Sequence, residues 1–340
     1  MTVGGWFDAE DLYGPLNIYR SVEEKNPGVA NILVMGPWRH GGWARTAGDA
    51  LGNVRFGSAT AEFYRENIEA PFFEFYLKDQ GEMSLPEAYV FETGRNQWRT
   101  FGSWPPSGID ETSLYLREGG GLSFDPPPAA TGAFDDWISD PTRPVPYTQD
   151  IAIGMTQEYM TDDQRFAGRR PDVVVYQTDP LTEELTVAGP LLADLWVSTS
   201  GTDSDWIVKL IDVFPPDTPD HEGLPPGVRM GGYQMMVRSE VIRGRFRNSY
   251  EVPEPFEPDQ PTQVGLTLQD VLHTFQAGHR IMIQVQSTWF PLVDRNPQTF
   301  VENIFLADEE VFRPATQRLY RSRRYSSQIR LGLLEGNEGR

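Results

Sequence analysis

From about residue 83 onward, apolar residues recur at every second position in short segments: Tyr89/Phe91, Leu114/Leu116, Leu195/Val197, Val208/Leu210, Tyr233/Met235/Val237, Val264/Leu266/Leu268 and Ile281/Ile283/Val285. Period two puts alternate side chains on one buried face, the mark of half-buried strands. Gly, Pro and Asp separate the segments, and Glu118-Gly119-Gly120-Gly121 reads as a hairpin turn. Such a series predicts an antiparallel sandwich of the jelly-roll type. Phe124 to Pro146, rich in Pro and Asp, predicts a long surface excursion. The Arg-rich stretch Arg313 to Arg330 predicts a solvated edge strand.

Residues 1 to about 82 follow a different rule. Thr2 to Phe7 reads as the end of a strand and Asp11 to Glu24 as a helix, with Pro15 tolerated near its first turn. Asn26-Pro27-Gly28 breaks the chain, and Ala30 to Met35 is a nearly continuous apolar run, which suits a buried parallel strand. Tyr64, Ile68, Phe72 and Tyr76 recur every fourth position, so Thr60 to Lys78 predicts an amphipathic helix kinked at Pro71. The expected fold class is therefore mainly β. A C-terminal jelly-roll β-sandwich (83–335) follows the last strands and helices of an α/β unit (1–82). A two-strand sheet remnant there would expose an unpaired parallel edge.

Acid–base residues stand just after both strands of the first region. Asp8 follows Gly4-Gly5-Trp6-Phe7, and His40 follows Met35-Gly36-Pro37-Trp38-Arg39. The gap, 40 − 8 = 32 residues, leaves room for one crossover helix, so both should emerge at one sheet edge, where ligands of open α/β sheets bind. Asp before His fits the last members of an α/β-hydrolase triad. A helix-capping Asp and a turn His fit the same spacing. Glu10 and Asp11 add carboxylates beside Asp8, and such a run calls for solvent or a cation such as a substrate ammonium. It equally suits a helix N-terminus. One short acidic run without other ligands is a weak metal signal, and no metal or other cofactor is expected.

Composition removes other classes. Basic residues number 29 and acidic ones 49, giving 29 − 49 = −20, with a sequence pI near 4.6. Neither nucleic acid nor an anionic membrane surface suits such a chain as a partner. Cysteine is absent, which excludes disulfides, thiolate nucleophiles and Cys-ligated zinc. No stretch reaches the ~18 apolar residues of a spanning helix. His221, His273 and His279 read as a loop residue and two structural hydrogen-bonding residues, and Trp104, Trp137, Trp206 and Trp289 read as core.

Gly5-Trp6-Phe7-Asp8-Ala9-Glu10-Asp11 followed by Gly36-Pro37-Trp38-Arg39-His40-Gly41 resembles the α-amino-acid ester hydrolases. These belong to a broader family with the cocaine esterases, glutaryl acylases and X-Pro dipeptidyl peptidases. The resemblance continues through Trp196 to Asp203, Lys209 to Val213, Gly278 to Ile281, Ser287 to Pro291 and Asp294 to Pro297, which look like the family's C-terminal jelly roll. It implies that Asp8 is the triad acid and His40 the triad base, both catalytic. It implies that Glu10 and Asp11 hold the α-ammonium of a small α-amino ester or β-lactam substrate. The cocaine-esterase-like members lack this acidic pair as an ammonium site.

The departure from the family is a missing nucleophile. No Gly-x-Ser-x-Gly occurs. Gly121-Leu122-Ser123-Phe124-Asp125 comes nearest, in an expected hairpin, and Ser58 reads as a helix start. The chain is therefore expected to be the C-terminal part of a longer serine hydrolase, to need an N-terminal hydrolase half as its partner, and to be inactive alone. A non-catalytic jelly-roll binding module and an X-Pro dipeptidyl peptidase-type member are the alternatives. A homo-oligomer stays open, as does the compartment.

Overall fold

The structure, a computed structural model, describes residues 1–128 and 133–334. Residues 129–132 of the expected surface excursion, and residue 335 at the end of the expected sandwich, lie outside the described residues.

Strands Thr2–Gly5 and Leu33–Gly36 pair in parallel, with Gly5 opposite Gly36. Helix Tyr13–Lys25 makes the crossover between them and buries Pro15, Leu16 and Tyr19. All residues of Leu33–Gly36 are buried, as a strand covered on both faces requires. The sheet does not stop at two strands. Ala88–Glu92 adds in parallel to Leu33–Gly36, and Gln97–Phe101 adds antiparallel to Ala88–Glu92. Sheet membership thus ignores the expected division at 82/83. Alternation at Tyr89/Phe91 reveals a strand but not its partner. Between the second and third strands, Thr60–Tyr64 and Ala70–Lys78 are α-helical, with a π-helical stretch, Arg65–Glu69, joining them. Pro71 has no N–H for the carbonyl four residues back, and the wider turn accommodates that loss.

Ala50–Leu51 and Val54–Arg55 pair as a separate two-stranded ribbon, and the remaining strands form a sandwich. One sheet runs Val173–Gln177, Arg280–Gln286, Asp205–Val213, Gln234–Arg243. The other is built on the long strand Leu185–Thr199, which pairs with Thr262–Phe275, Ala315–Tyr320 and Gln328–Leu334. Leu114, Leu195, Val208, Leu210, Val264 and Ile283 are fully buried between the sheets, each worth roughly 1.5–3 kcal/mol of transfer free energy. Trp137 and Trp206 meet edge to face at 6.0 Å and join the sheets. Two expectations need correction. Phe134–Ser139 is a strand rather than part of a surface excursion, because Trp137 anchors it against Ala315–Tyr320. The Arg-rich segment is not an edge: Ala315–Tyr320 lies between two strands, its Leu319 and Tyr320 buried, and its one arginine, Arg318, pairs with Asp259 at 2.6 Å.

Polar contacts weld the first sheet to the sandwich. Thr93 donates its N–H to the Leu272 carbonyl at 3.0 Å and accepts from the Thr274 N–H at 2.9 Å. Thr93 Oγ1 also meets His273 Nδ1 at 2.8 Å, and inside the sandwich buried Asp212 sits between His279 Nδ1 at 2.7 Å and His273 Nε2 at 3.3 Å. Burial pushes the Asp212 carboxyl up, but the hydrogen bonds and charge of these imidazoles outweigh it and hold it below its ordinary value.

Candidate active site

Asp8 leaves the C-terminal end of strand Thr2–Gly5, and His40 leaves that of Leu33–Gly36. The sheet therefore brings both to one edge. His40 Nδ1 lies 2.9 Å from Asp8 Oδ2 and 3.1 Å from Oδ1. Glycine makes the approach possible. A Cβ on Gly5 would stand 2.2 Å from the Trp38 carbonyl oxygen, and one on Gly36 would stand 2.4 Å from the Trp38 ring. Trp38 is buried and donates its Nε1–H to Thr60 Oγ1 at 2.8 Å. Arg65 Nη1 donates to the Trp43 and Thr46 carbonyls, fixing the short helix just after His40.

Asp8 is buried, at 4 % exposure, while the His40 side chain is 43 % exposed. Asp8 Oδ1 also accepts the backbone N–H groups of Glu10 and Asp11, each at 2.9 Å. The carboxylate is thus locked in rotation, and one oxygen is left facing the imidazole. Because a carboxylate only accepts, His40 must place a proton on Nδ1, which leaves Nε2 as the accessible base. Nε2 is 3.9 Å from Glu10 Oε2.

A cleft of about 330 Å³ opens beside Asp8. Asp8, Glu10, Asp11 and Glu240 line it with carboxyl groups, and Tyr159 and Trp289 with aromatic surface. No basic side chain is among its lining residues. Burial pushes the Glu240 carboxyl up; the Val241 N–H, Gln269 and the Arg238 charge oppose that rise. The acidic pair divides in two. Asp11 Oδ1 accepts the Gly14 N–H at 2.7 Å and so opens helix Tyr13–Lys25, whereas Glu10 takes only a 3.2 Å contact from Gln157 and otherwise faces the cleft and His40.

Sequence reasoning missed Glu240, Tyr159 and Gln269, all supplied by the later part of the chain. Gln269 has φ +65 inside strand Thr262–Phe275, where the pairing register shifts between Pro190 and Leu192. The signal was present: apolar spacing runs Val264, Leu266, Leu268 and then slips to Val271. Ser123 lies in a hairpin strand and its hydroxyl accepts the Asp125 N–H at 3.1 Å. Among the described residues no group of His, Asp and Glu is arranged to hold a metal ion.

Residues 80–330 match the profile of the X-Pro dipeptidyl-peptidase C-terminal non-catalytic domain. Cocaine esterase from Rhodococcus sp. (strain MB1 Bresler) is 29% identical over 278 residues, covering 78% of this chain and 45% of that protein. An aminopeptidase from the marine sediment archaeon Thaumarchaeota archaeon is similar with TM-score 0.92 and 43% identity, over 98% of this chain and 54% of that one. An α-amino acid ester hydrolase labelled with selenomethionine is similar with TM-score 0.91 and 40% identity, over 97% of this chain and 54% of that one. The chain spans about half the length of these relatives.

Proposed function

The chain belongs to the hydrolase family that carries the X-Pro dipeptidyl-peptidase C-terminal non-catalytic domain and includes cocaine esterase and α-amino acid ester hydrolase, and on that premise we propose that it supplies the acid, the base and the ammonium-binding carboxylates of a serine hydrolase for α-amino acid esters or related β-lactam amides. The observation that carries this reading is the 2.9 Å contact from His40 Nδ1 to a rotationally locked Asp8. The nucleophilic serine and the oxyanion donors come from a hydrolase segment outside this sequence. In the reaction, that serine hydroxyl attacks the acyl carbon while His40 Nε2 takes its proton. His40 returns the proton to the leaving alkoxide or amine, and water then repeats the cycle on the acyl-enzyme. Asp8 keeps the Nδ1 proton in place and stabilises the imidazolium. Likeness to an aminopeptidase supports a peptide with a free N-terminus as a second substrate class for the same residues.

The test completes the enzyme by fusing the N-terminal part of an α-amino acid ester hydrolase to this chain. An α-amino ester, the same ester without its amine, and a dipeptide amide are then compared by kcat/KM. Glu10→Gln is expected to lower kcat/KM for the amino ester about tenfold to a hundredfold, the worth of a charge-assisted hydrogen bond, and to spare the des-amino ester. Asp11→Asn is expected to cost stability as well, because Asp11 also holds the Gly14 N–H. Equal loss on both esters would remove the ammonium reading and leave the acidic pair as a helix-start feature. Hydrolysis of no substrate by the fusion would favour a non-catalytic binding module. The chain alone is expected to leave a fluorophosphonate probe unreacted; stoichiometric labelling of one serine would reveal a nucleophile of its own.

A further inference from the structure

One peptide plane, Trp6–Phe7, presents Asp8, and it is gripped from both sides. Its N–H donates to the Trp38 carbonyl at 3.1 Å, and Trp38 lies on the segment that carries His40. Its carbonyl has left the sheet, because strand Thr2–Gly5 has already ended. The donor it meets is Nη1 of Arg238, at 2.6 Å. Arg238 stands on strand Gln234–Arg243 of the sandwich and is 2 % exposed. Its guanidinium also lies 5.7 Å from the centre of the Trp6 ring, whose Nε1–H donates to the Phe91 carbonyl at 2.8 Å.

Burying a guanidinium is costly. Burial lowers Arg238 to about 10 against the opposing charges of Asp270 and Glu240, so it remains a cation at neutral pH. Its Nε has no partner among the described residues. A methionine would fill similar volume without that cost, but it would not hold the Trp6 carbonyl. The contact does what the sheet cannot do at this point: it satisfies a buried carbonyl and fixes a peptide plane at a strand exit.

We propose that Arg238 is a positioning residue for the Asp8–His40 pair, acting from the sandwich through the Trp6–Phe7 peptide plane. The inference rests on the reading of Asp8 and His40 as acid and base, yet its test reads geometry rather than turnover, so an inactive fusion would not touch it.

The test uses this chain with ¹⁵N-labelled histidine, His40 being assigned by its loss in His40→Gln. In the wild type, neutral His40 is expected to carry its proton on Nδ1. In Arg238→Met, the Nδ1–H fraction is expected to fall about threefold, toward that of an unconstrained imidazole. Arg245→Lys is the control, since Arg245 is equally buried in the sandwich but bonds Asp203 instead. It is expected to leave His40 as in the wild type. A folded Arg238→Met with the wild-type tautomer, or an Arg245→Lys that moves His40 as far, would overturn the proposal. If Arg238→Met does not fold, Arg238→Lys decides, through amide exchange at Glu10 and Asp11, whose N–H groups Asp8 holds. Exchange there is expected to quicken about tenfold relative to Arg245→Lys; equal rates in the two variants would overturn it.

Discussion

Asp8→Asn is expected to lower kcat of the completed enzyme by about four orders of magnitude while leaving KM within severalfold. The reason lies in which oxygen does what. Oδ1 accepts two backbone N–H groups, from Glu10 and Asp11. An asparagine must keep its carbonyl oxygen there, because its amino group would meet those donors head on. The amino group then takes the Oδ2 position, 2.9 Å from His40 Nδ1. Facing a donor, Nδ1 must accept, so the imidazole proton moves to Nε2. A base with its proton on Nε2 cannot take another from the nucleophile. The substitution preserves shape and inverts the tautomer, which makes the defect catalytic rather than structural. Two measurements check it: kcat of the fusion, and the ¹⁵N shifts of His40 in this chain alone, where Nε2–H should dominate. A kcat within about tenfold of wild type would mean that Asp8 does not set the tautomer.

What the sequence made legible follows from what each signal encodes. The Asp8 and His40 segments each end a strand, and one crossover of 32 residues separates the pair, so parallel topology alone predicts a common edge. Local grammar sufficed there. It did not suffice for Ala88–Glu92, because alternation at Tyr89/Phe91 specifies a buried face but says nothing about which sheet supplies the neighbour. Composition misled at Phe134–Ser139. Pro and Asp on both sides mark turns, yet Trp137 holds the segment to the sandwich core. The cleft was half legible. Glu10 and Asp11 are adjacent to Asp8 in the chain, whereas Glu240, Gln269 and Arg238 arrive from distant strands, and only tertiary packing brings them near. The register slip at Gln269 could have flagged that point, since a bulge re-aims a side chain next to a site.

The fold also carries a charge that packing alone does not explain, and it yields the second large expected effect. Lys209 on strand Asp205–Val213 is completely buried. Its Nζ donates to Gln164 Oε1 at 2.9 Å and lies 4.8 Å from the Trp289 ring centre; none of the carboxylates among the described residues forms a salt bridge with it. Burial lowers its pKa from 10.5 to about 7. Between those values the unfolded chain holds a proton that the folded chain has released, so stability rises with pH across that window. Below about 7 both states are protonated and the folded state bears the whole penalty, of order 5 kcal/mol. Lys209→Met removes the penalty and leaves Gln164 Oε1 without its donor, which costs roughly 1–3 kcal/mol. At pH ~6 the variant should therefore be more stable than wild type by roughly 2 kcal/mol. Near pH ~9.5 the wild-type amine is neutral in the fold and still bonded to Gln164, so the order should reverse by roughly 1 kcal/mol. Urea midpoints for both proteins at the two pH values measure this directly. Curves that stay parallel would show that Lys209 does not titrate in the fold; a crossing would show that the charge under Trp289, in the wall of the cleft, is switched by proton release.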